Sequence, residues 1–310
     1  LNILEVKGLT KRYANHIALD KVSIQVPKQC IFGLLGPNGA GKTSLIRSIT
    51  QIISPEEGEI LFEGHTLKPS DVFKMGYLPE ERGLYKKMGV AEQILYFAQL
   101  KGISKKEAKS KTKTWLERLS LMPWHKHKVE DLSKGMQQKV QFICTVIHEP
   151  SLLILDEPFS GFDPVNAQLI RDEIIRLKNE GATIILSTHR MESVEQLCDR
   201  IALINSSKKM IEGTKNEIKK VYRNNQFELT TTDPVIISET PHQLIEESSE
   251  QLYGYKQTVK LLDASPNDLL MEVMKLTTVL GIKEKIPSMH DIFLETVQNG
   301  NIKQIEEVDA

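Results

Sequence analysis

The chain has 310 residues, with 40 Lys and Arg against 41 Asp and Glu, a net charge of −1, 40% hydrophobic and 26% charged residues. This is an ordinary soluble composition for one large domain or two smaller ones; it excludes global disorder and gives no support to a nucleic-acid partner. Cys30, Cys144 and Cys198 are too scattered for a disulfide framework or a CxxC zinc site, no apolar run approaches the roughly 18 residues of a membrane span, and Leu1–Glu5 does not read as a signal peptide.

In chain order, short apolar runs alternate with amphipathic stretches to about residue 220, which predicts an α/β domain. Val22–Val26, Ile31–Leu35, Leu152–Leu155 and Thr183–Leu186 read as strands. Met136, Val140, Ile143 and Ile147 share one helix face, as do Ile170, Ile174 and Leu177. Residues 86–148 hold no convincing strand, which predicts a helical insert in the sheet. Beyond residue 222 the texture changes. There Thr230–Pro234 and the acidic Glu246–Glu250 read as turns and loop, between the strand candidates Gln226–Leu229 and Tyr255–Leu262. Ser265-Pro266-Asn267-Asp268 and Ser288-Met289-His290-Asp291 mark two helix starts, each a capping serine with an acid three residues on. Ile292, Phe293 and Val297 form the apolar face of the second. The expected division is 1–222 and a small α+β domain over 223–310.

Gly36-Pro37-Asn38-Gly39-Ala40-Gly41-Lys42-Thr43 follows a predicted strand, opens a helix and fits GxxxxGK[ST]. Its glycines let backbone N–H groups fold around phosphate, and the helix N-terminus adds a favourable dipole. Lys42 would reach the β- and γ-phosphates and the Thr43 hydroxyl would ligate Mg²⁺, with the nucleotide-contacting run extending to Ser44. Leu152–Leu155 ends in Asp156-Glu157. A buried strand delivering a carboxylate beside such a loop is how these folds hold Mg²⁺, so Asp156 is the metal carboxylate and Glu157 the residue that polarises the attacking water.

Leu132-Ser133-Lys134-Gly135-Met136-Gln137-Gln138, ahead of an amphipathic helix, completes a set that resembles the ATP-binding cassette (ABC) family over residues 2–220. The resemblance implies a P-loop NTPase cassette, a mixed sheet core with a helical insert, that binds and hydrolyses ATP with Mg²⁺. It also implies roles: Tyr13 stacks on adenine, Asp163 lies in the D-loop Ser160–Asp163, and His189 is the switch histidine after Ser187-Thr188. Ser133 and Gly135 close on the ATP of a second cassette, so a dimer is implied, with two identical chains as the expected form. Lys134 and Met136 depart from the family's glycine and glutamine.

Glu80, in Gly76–Tyr85, stands where most cassettes have glutamine. It can offer an oxygen to Mg²⁺; alternatively it faces a membrane subunit or solvent, and Glu81 or Arg82 does the coupling. This wording, with Pro287–Phe293 near the end, resembles the sodium-efflux and drug-efflux exporter cassettes. The expectation is an exporter ATPase at the cytoplasmic face of the membrane, held there by a separate permease. The alternatives are an importer cassette, or a soluble cassette acting on ribosomes or DNA. Lys101, Lys105, Lys106, Lys109, Lys111 and Lys113 read as a solvated face, and His125-Lys126-His127 as no metal site.

Overall fold

The computed structural model describes residues 1–81, 83–236 and 242–298. The chain forms two compact units, Leu1–Lys215 and a second beginning at Asn216. The first half of unit 1 contains β1 (Asn2–Tyr13), β2 (His16–Pro27), β3 (Ile31–Leu35), α1 (Lys42–Ile49), β4 (Glu57–Phe62), β5 (His65–Thr66) and β6 (Met75–Leu78). The insert follows as α2 (Val90–Leu100), α3 (Lys105–Arg118) and α4 (Lys134–Val146). Then come β7 (Leu152–Asp156), α5 (Pro164–Asn179), β8 (Thr183–Ser187), α6 (Met191–Leu197), β9 (Arg200–Asn205) and β10 (Lys208–Thr214).

Two sheets build unit 1. One is antiparallel, β2-β1-β4-β5, and the other runs β10-β9-β3-β8-β7-β6. From β9 to β6 the second sheet is parallel, and β10 joins it antiparallel. Strands β3, β7 and β8 are buried along their whole length, as their largely apolar sequences require of a parallel sheet covered on both faces. Phe32, Leu34, Ile154 and Ile185 of this sheet share one core with Leu4, Leu9, Ile24 and Phe62 of the other, and with Leu45, Ile46 and Ile49 of α1.

Parallel direction matters most for function. Leu34 and Asp156 both register with Ser187, so the chain leaves β3, β8 and β7 side by side at one edge. Beyond the carboxyl ends of such strands is where open α/β sheets hold ligands.

Unit 2 contains all but the first residue of α7 (Lys215–Val221), then β11 (Gln226–Thr231), β12 (His242–Gln251), β13 (Gly254–Leu261), α8 (Pro266–Val273), β14 (Val279–Glu284) and α9 (Met289–Gln298). Its antiparallel sheet runs β12-β13-β11-β14 over a core of Leu229, Val235, Val259, Leu261, Leu269 and Val273. Both serine starts are built as capping boxes: Ser265 Oγ accepts from Asp268 N (3.2 Å), and Ser288 Oγ from Asp291 N (3.2 Å). Tyr222, buried after α7, shares a hydrogen bond with Thr296 Oγ1 (3.1 Å), so this residue goes with unit 2 and the division falls earlier than the change of texture at 222.

Two local readings need correction. Glu246–Glu250, expected as loop, lies in the edge strand β12, and Thr230 and Thr231 complete β11. Glu246 accepts from Thr258 Oγ1 and pairs with Lys285 at 2.9 Å, so it belongs to a charged sheet edge, a common device against edge-to-edge pairing. Lys101 is not on a solvated face either: its ammonium donates to the carbonyls of Val72 and Met75 (2.8 Å each).

Because each unit has its own core, a chain ending at Lys215 should remain folded and still bind ATP. Circular dichroism and an ATP-dependent rise in thermal midpoint check this. Loss of the helical signal would mean that the two units need one another to fold.

Candidate functional site

The phosphate-binding run leaves β3 at Leu35 and enters α1 at Lys42. Gly36 (φ +151°) and Gly41 (φ +112°) adopt backbone that side chains disfavour. A Cβ on Gly36 would stand 2.1 Å from the Ile204 carbonyl, and one on Gly41 2.4 Å from that of Ala18. The tight curl thus needs glycine at both places. No side chain caps α1, which leaves its first N–H groups for a ligand. Lys42 is buried and donates to the carbonyls of Gly36 (2.8 Å) and Pro37 (3.0 Å). Burial lowers its pKa, opposed by the negative charges of Glu157, Asp156 and Glu80. Ala40 is buried and Ser44 half-buried, while Asn38, Gly39 and Thr43 are exposed.

Asp156 and Glu157, 4% and 8% exposed, lie where β7 ends. Glu157 takes a left-handed φ of +48°, so its carboxylate turns away from its neighbour's toward the end of β8. There Glu157 Oε1 accepts from His189 N (2.9 Å) and His189 Nδ1 (2.6 Å), and Oε2 from Thr188 Oγ1 (3.2 Å). Burial raises the Asp156 carboxyl above its ordinary range, and the charges of Glu80 and Glu157 raise it further against the pull of Lys42. Glu80, exposed in the loop after β6, is thus close enough to be felt by both Asp156 and Lys42. Arg82 lies outside the described residues.

Among the described residues no group of three or more His, Cys, Asp or Glu makes a complete metal cage. An excess of carboxylate with a hydroxyl at Thr43 instead suits Mg²⁺, which binds through one or two protein oxygens, water and substrate phosphates. His127 stacks on Trp124 (ring centroids 4.9 Å) and His125 Nδ1 bonds the Met122 carbonyl (2.8 Å). The thiols are packing groups, pushed up by burial to about 11 at Cys30 and about 12 at Cys198.

Ser133, Gly135 and Asp163 form a second group. Ser133 Oγ caps α4 by accepting from Met136 N (3.3 Å), and Asp163 Oδ1 caps α5 by accepting from Asn166 N (3.0 Å). A Cβ on Gly135 would meet Phe162 Cδ1 at 3.8 Å, so the two helix starts adjoin. Ser133, Lys134 and Asp163 are exposed, and Met136 is half-buried. Tyr13 ends β1, the residue 43% exposed, with Lys11 Nζ 5.4 Å from its ring centroid. It pairs with His16 of β2, the strand whose Ala18 carbonyl faces Gly41. Sequence reasoning missed Thr188, which holds Glu157, and Ser207. Ser207 donates from Oγ to the Ile17 carbonyl (2.6 Å) and from N to the Ala40 carbonyl (3.2 Å), tying β2 to the loop. Thr188 stands in the Ser187-Thr188-His189 run, which was read only for its histidine, and Ser207 belongs to no recognisable motif.

A family model described as "ABC transporter" matches residues 19–160, and one described as "ATP-binding protein DrrA1-3-like, C-terminal domain" matches 213–297. The chain is 41% identical over 95% of its length, and 98% of the relative's, to the ABC transporter ATP-binding protein YhaQ of Bacillus subtilis. It is 34% identical to a lantibiotic transport ATP-binding protein of Streptococcus pyogenes, over 68% of this chain and 90% of that one. It is 32% identical to a daunorubicin resistance ATP-binding protein of Streptomyces coeruleorubidus, over 70% and 69%. Among solved structures, an ATP binding subunit of an ABC transporter superposes with a TM-score of 0.66 at 31% identity, over 70% of this chain and 92% of that one.

The raised Asp156 carboxyl makes a prediction about stability. Its ordinary pKa is 3.8; as pH rises above that value the unfolded chain loses the proton first, so the fold loses stability until the raised value is passed. Asp156→Asn should therefore raise the thermal midpoint of the metal-free chain at neutral pH. The gain should vanish in acid below the ordinary value. A lowered midpoint at neutral pH would contradict the burial argument.

Proposed function

This chain belongs to the ATP-binding proteins of ABC transporters, and on that premise we propose that it is the ATPase of a two-component exporter, driving a separate transmembrane permease. It binds and hydrolyses ATP, as its family does. The observation that carries the reading is the convergence of Lys42, Asp156, Glu157 and His189 at one edge of a parallel sheet. Export is supported by relatives named for lantibiotic transport and daunorubicin resistance, and by the match over 213–297. No helix of the described residues is long and apolar enough to cross a membrane. In this reading the transport path belongs to the permease, which holds the ATPase at the inner face of the membrane.

The chemistry follows from the residues. Backbone N–H groups of Gly36–Thr43 and the Lys42 ammonium hold the phosphates, and Tyr13 stacks on the base. Mg²⁺, when bound, offsets the phosphate charge; Thr43 and Asp156 would hold it, with Glu80 beside them. Glu157 orients and deprotonates the attacking water, while His189 and Thr188 fix its carboxylate. The exposed caps Ser133 and Asp163, with Gly135, have no nucleotide-binding loop of their own; they serve the ATP held by a second copy of the chain. From Asn216 onward the chain is an accessory domain that adds contacts, not catalysis.

Glu157→Gln should retain ATP binding and slow hydrolysis by about 10²–10⁴-fold, whereas Lys42→Ala should lose binding. Turnover equal to wild type in both variants would refute the roles. Mixing Ser133→Arg with Lys42→Ala chains should restore partial activity, because one of the two shared sites then keeps both elements. Mixed dimers with no activity at any ratio would contradict the arrangement across two copies. Co-purification with a membrane permease tests the transport reading, and sedimentation with ribosomes would oppose it.

A further inference from the structure

Two glutamines of the helical insert are buried where a packed helix ordinarily carries apolar side chains. Gln141 on α4 is 5% exposed and Gln93 on α2 is 0% exposed. Both reach the loop that follows β6. Gln141 Nε2 donates to the carbonyls of Pro79 (3.4 Å) and Glu81 (3.2 Å), the residues on either side of Glu80. Gln93 Oε1 accepts from the backbone N–H of Tyr85 (2.9 Å), farther along the same loop. Carbonyls can only accept and an amide N–H can only donate, so these partners decide which end of each side chain faces the loop.

Each glutamine consequently turns its other end into the interior. There Gln141 Oε1 and Gln93 Nε2 are buried without a partner. A buried polar atom left unpaired costs the fold, and leucine at either position would remove that cost while filling similar space. Stability alone does not account for glutamine at both sites. What each gains is a grip on backbone that a leucine could not provide.

We propose that Gln141 and Gln93 are positioning residues that latch the loop after β6 and hold Glu80 beside Asp156. The proposal rests on the reading of Glu80 as a neighbour of the metal. Two independent helices of the insert supply the latch, and one of them, α4, begins about two turns away at the cap Ser133. A shift of α4 relative to the sheet therefore pulls on the carbonyls flanking Glu80. Helix α4 and the metal side of the site are joined by one side chain gripping main chain, a shorter connection than a contact between two long side chains.

The test uses the full chain with Gln141→Leu, and with Gln93→Leu as the second variant should the first fail to fold. Hydrogen exchange in peptides covering the loop between β6 and α2 should accelerate several-fold without nucleotide or metal, with α2 and α4 unchanged. The thermal midpoint should stay level or rise. The Mg²⁺ concentration for half-maximal ATPase activity should increase several-fold, in parallel with a Glu80→Gln chain. Unchanged exchange in the loop would overturn the latch. Faster exchange, with a Mg²⁺ shift in Glu80→Gln but none in the glutamine variants, would overturn the positioning of Glu80. Faster exchange with no Mg²⁺ shift in any variant would uphold the latch and overturn the metal reading of Glu80.

Discussion

The contact between His189 Nδ1 and Glu157 Oε1, 2.6 Å long, is the interaction on which the rest of unit 1 turns. It joins residues far apart in sequence, and it exists because β7 and β8 are parallel neighbours whose chains emerge together. The left-handed backbone at Glu157 costs conformational energy, on the order of 1–3 kcal/mol, and the bonds from His189 and Thr188 offset it. They also leave the carboxylate in one orientation. In the proposed function Glu157 is the base, and a carboxylate held this way would need little reorganisation when the reaction begins.

Around that contact, charge is arranged at a cost. Asp156, Glu157 and Glu80 share a small region with one buried ammonium, Lys42, and the Asp156 carboxyl is raised because burial and its neighbours disfavour its charge. A fold selected for stability alone would not keep these groups together. In the proposed function an ATP–metal complex would bring both the phosphate that Lys42 holds and a cation for the carboxylates. The unpaired ends of Gln93 and Gln141 belong to the same pattern of local cost in exchange for geometry. Unit 2 shows the opposite economy: acids and lysines pair across its sheet, as Glu228 does with Lys256 at 2.6 Å, over a small apolar core.

Much of this was legible in the sequence where the signal is local. The glycines and Lys42 stand in one short run, the carboxylates end an unbroken apolar strand, and Ser133, Ser265 and Ser288 precede their helices as caps should. What escaped depends on partners distant in sequence. Glu246–Glu250 reads as loop until Thr258 and Lys285 supply the other side of the strand edge. Lys101 reads as solvated until the carbonyls of Val72 and Met75 are found beneath it. Gln141 is invisible because an amide within an apolar helix period signals nothing until the loop it holds is in place.

The central proposal is that Glu157 and His189 act as one catalytic unit. A double-mutant cycle in ATP hydrolysis tests it most directly, comparing Glu157→Gln, His189→Ala and the combined variant at saturating ATP. If His189 works through the carboxylate it holds, the combined variant should be no slower than Glu157→Gln alone. Losses that multiply, so that the combined variant is slower by the product of the two single effects, would show two independent contributions and contradict the account.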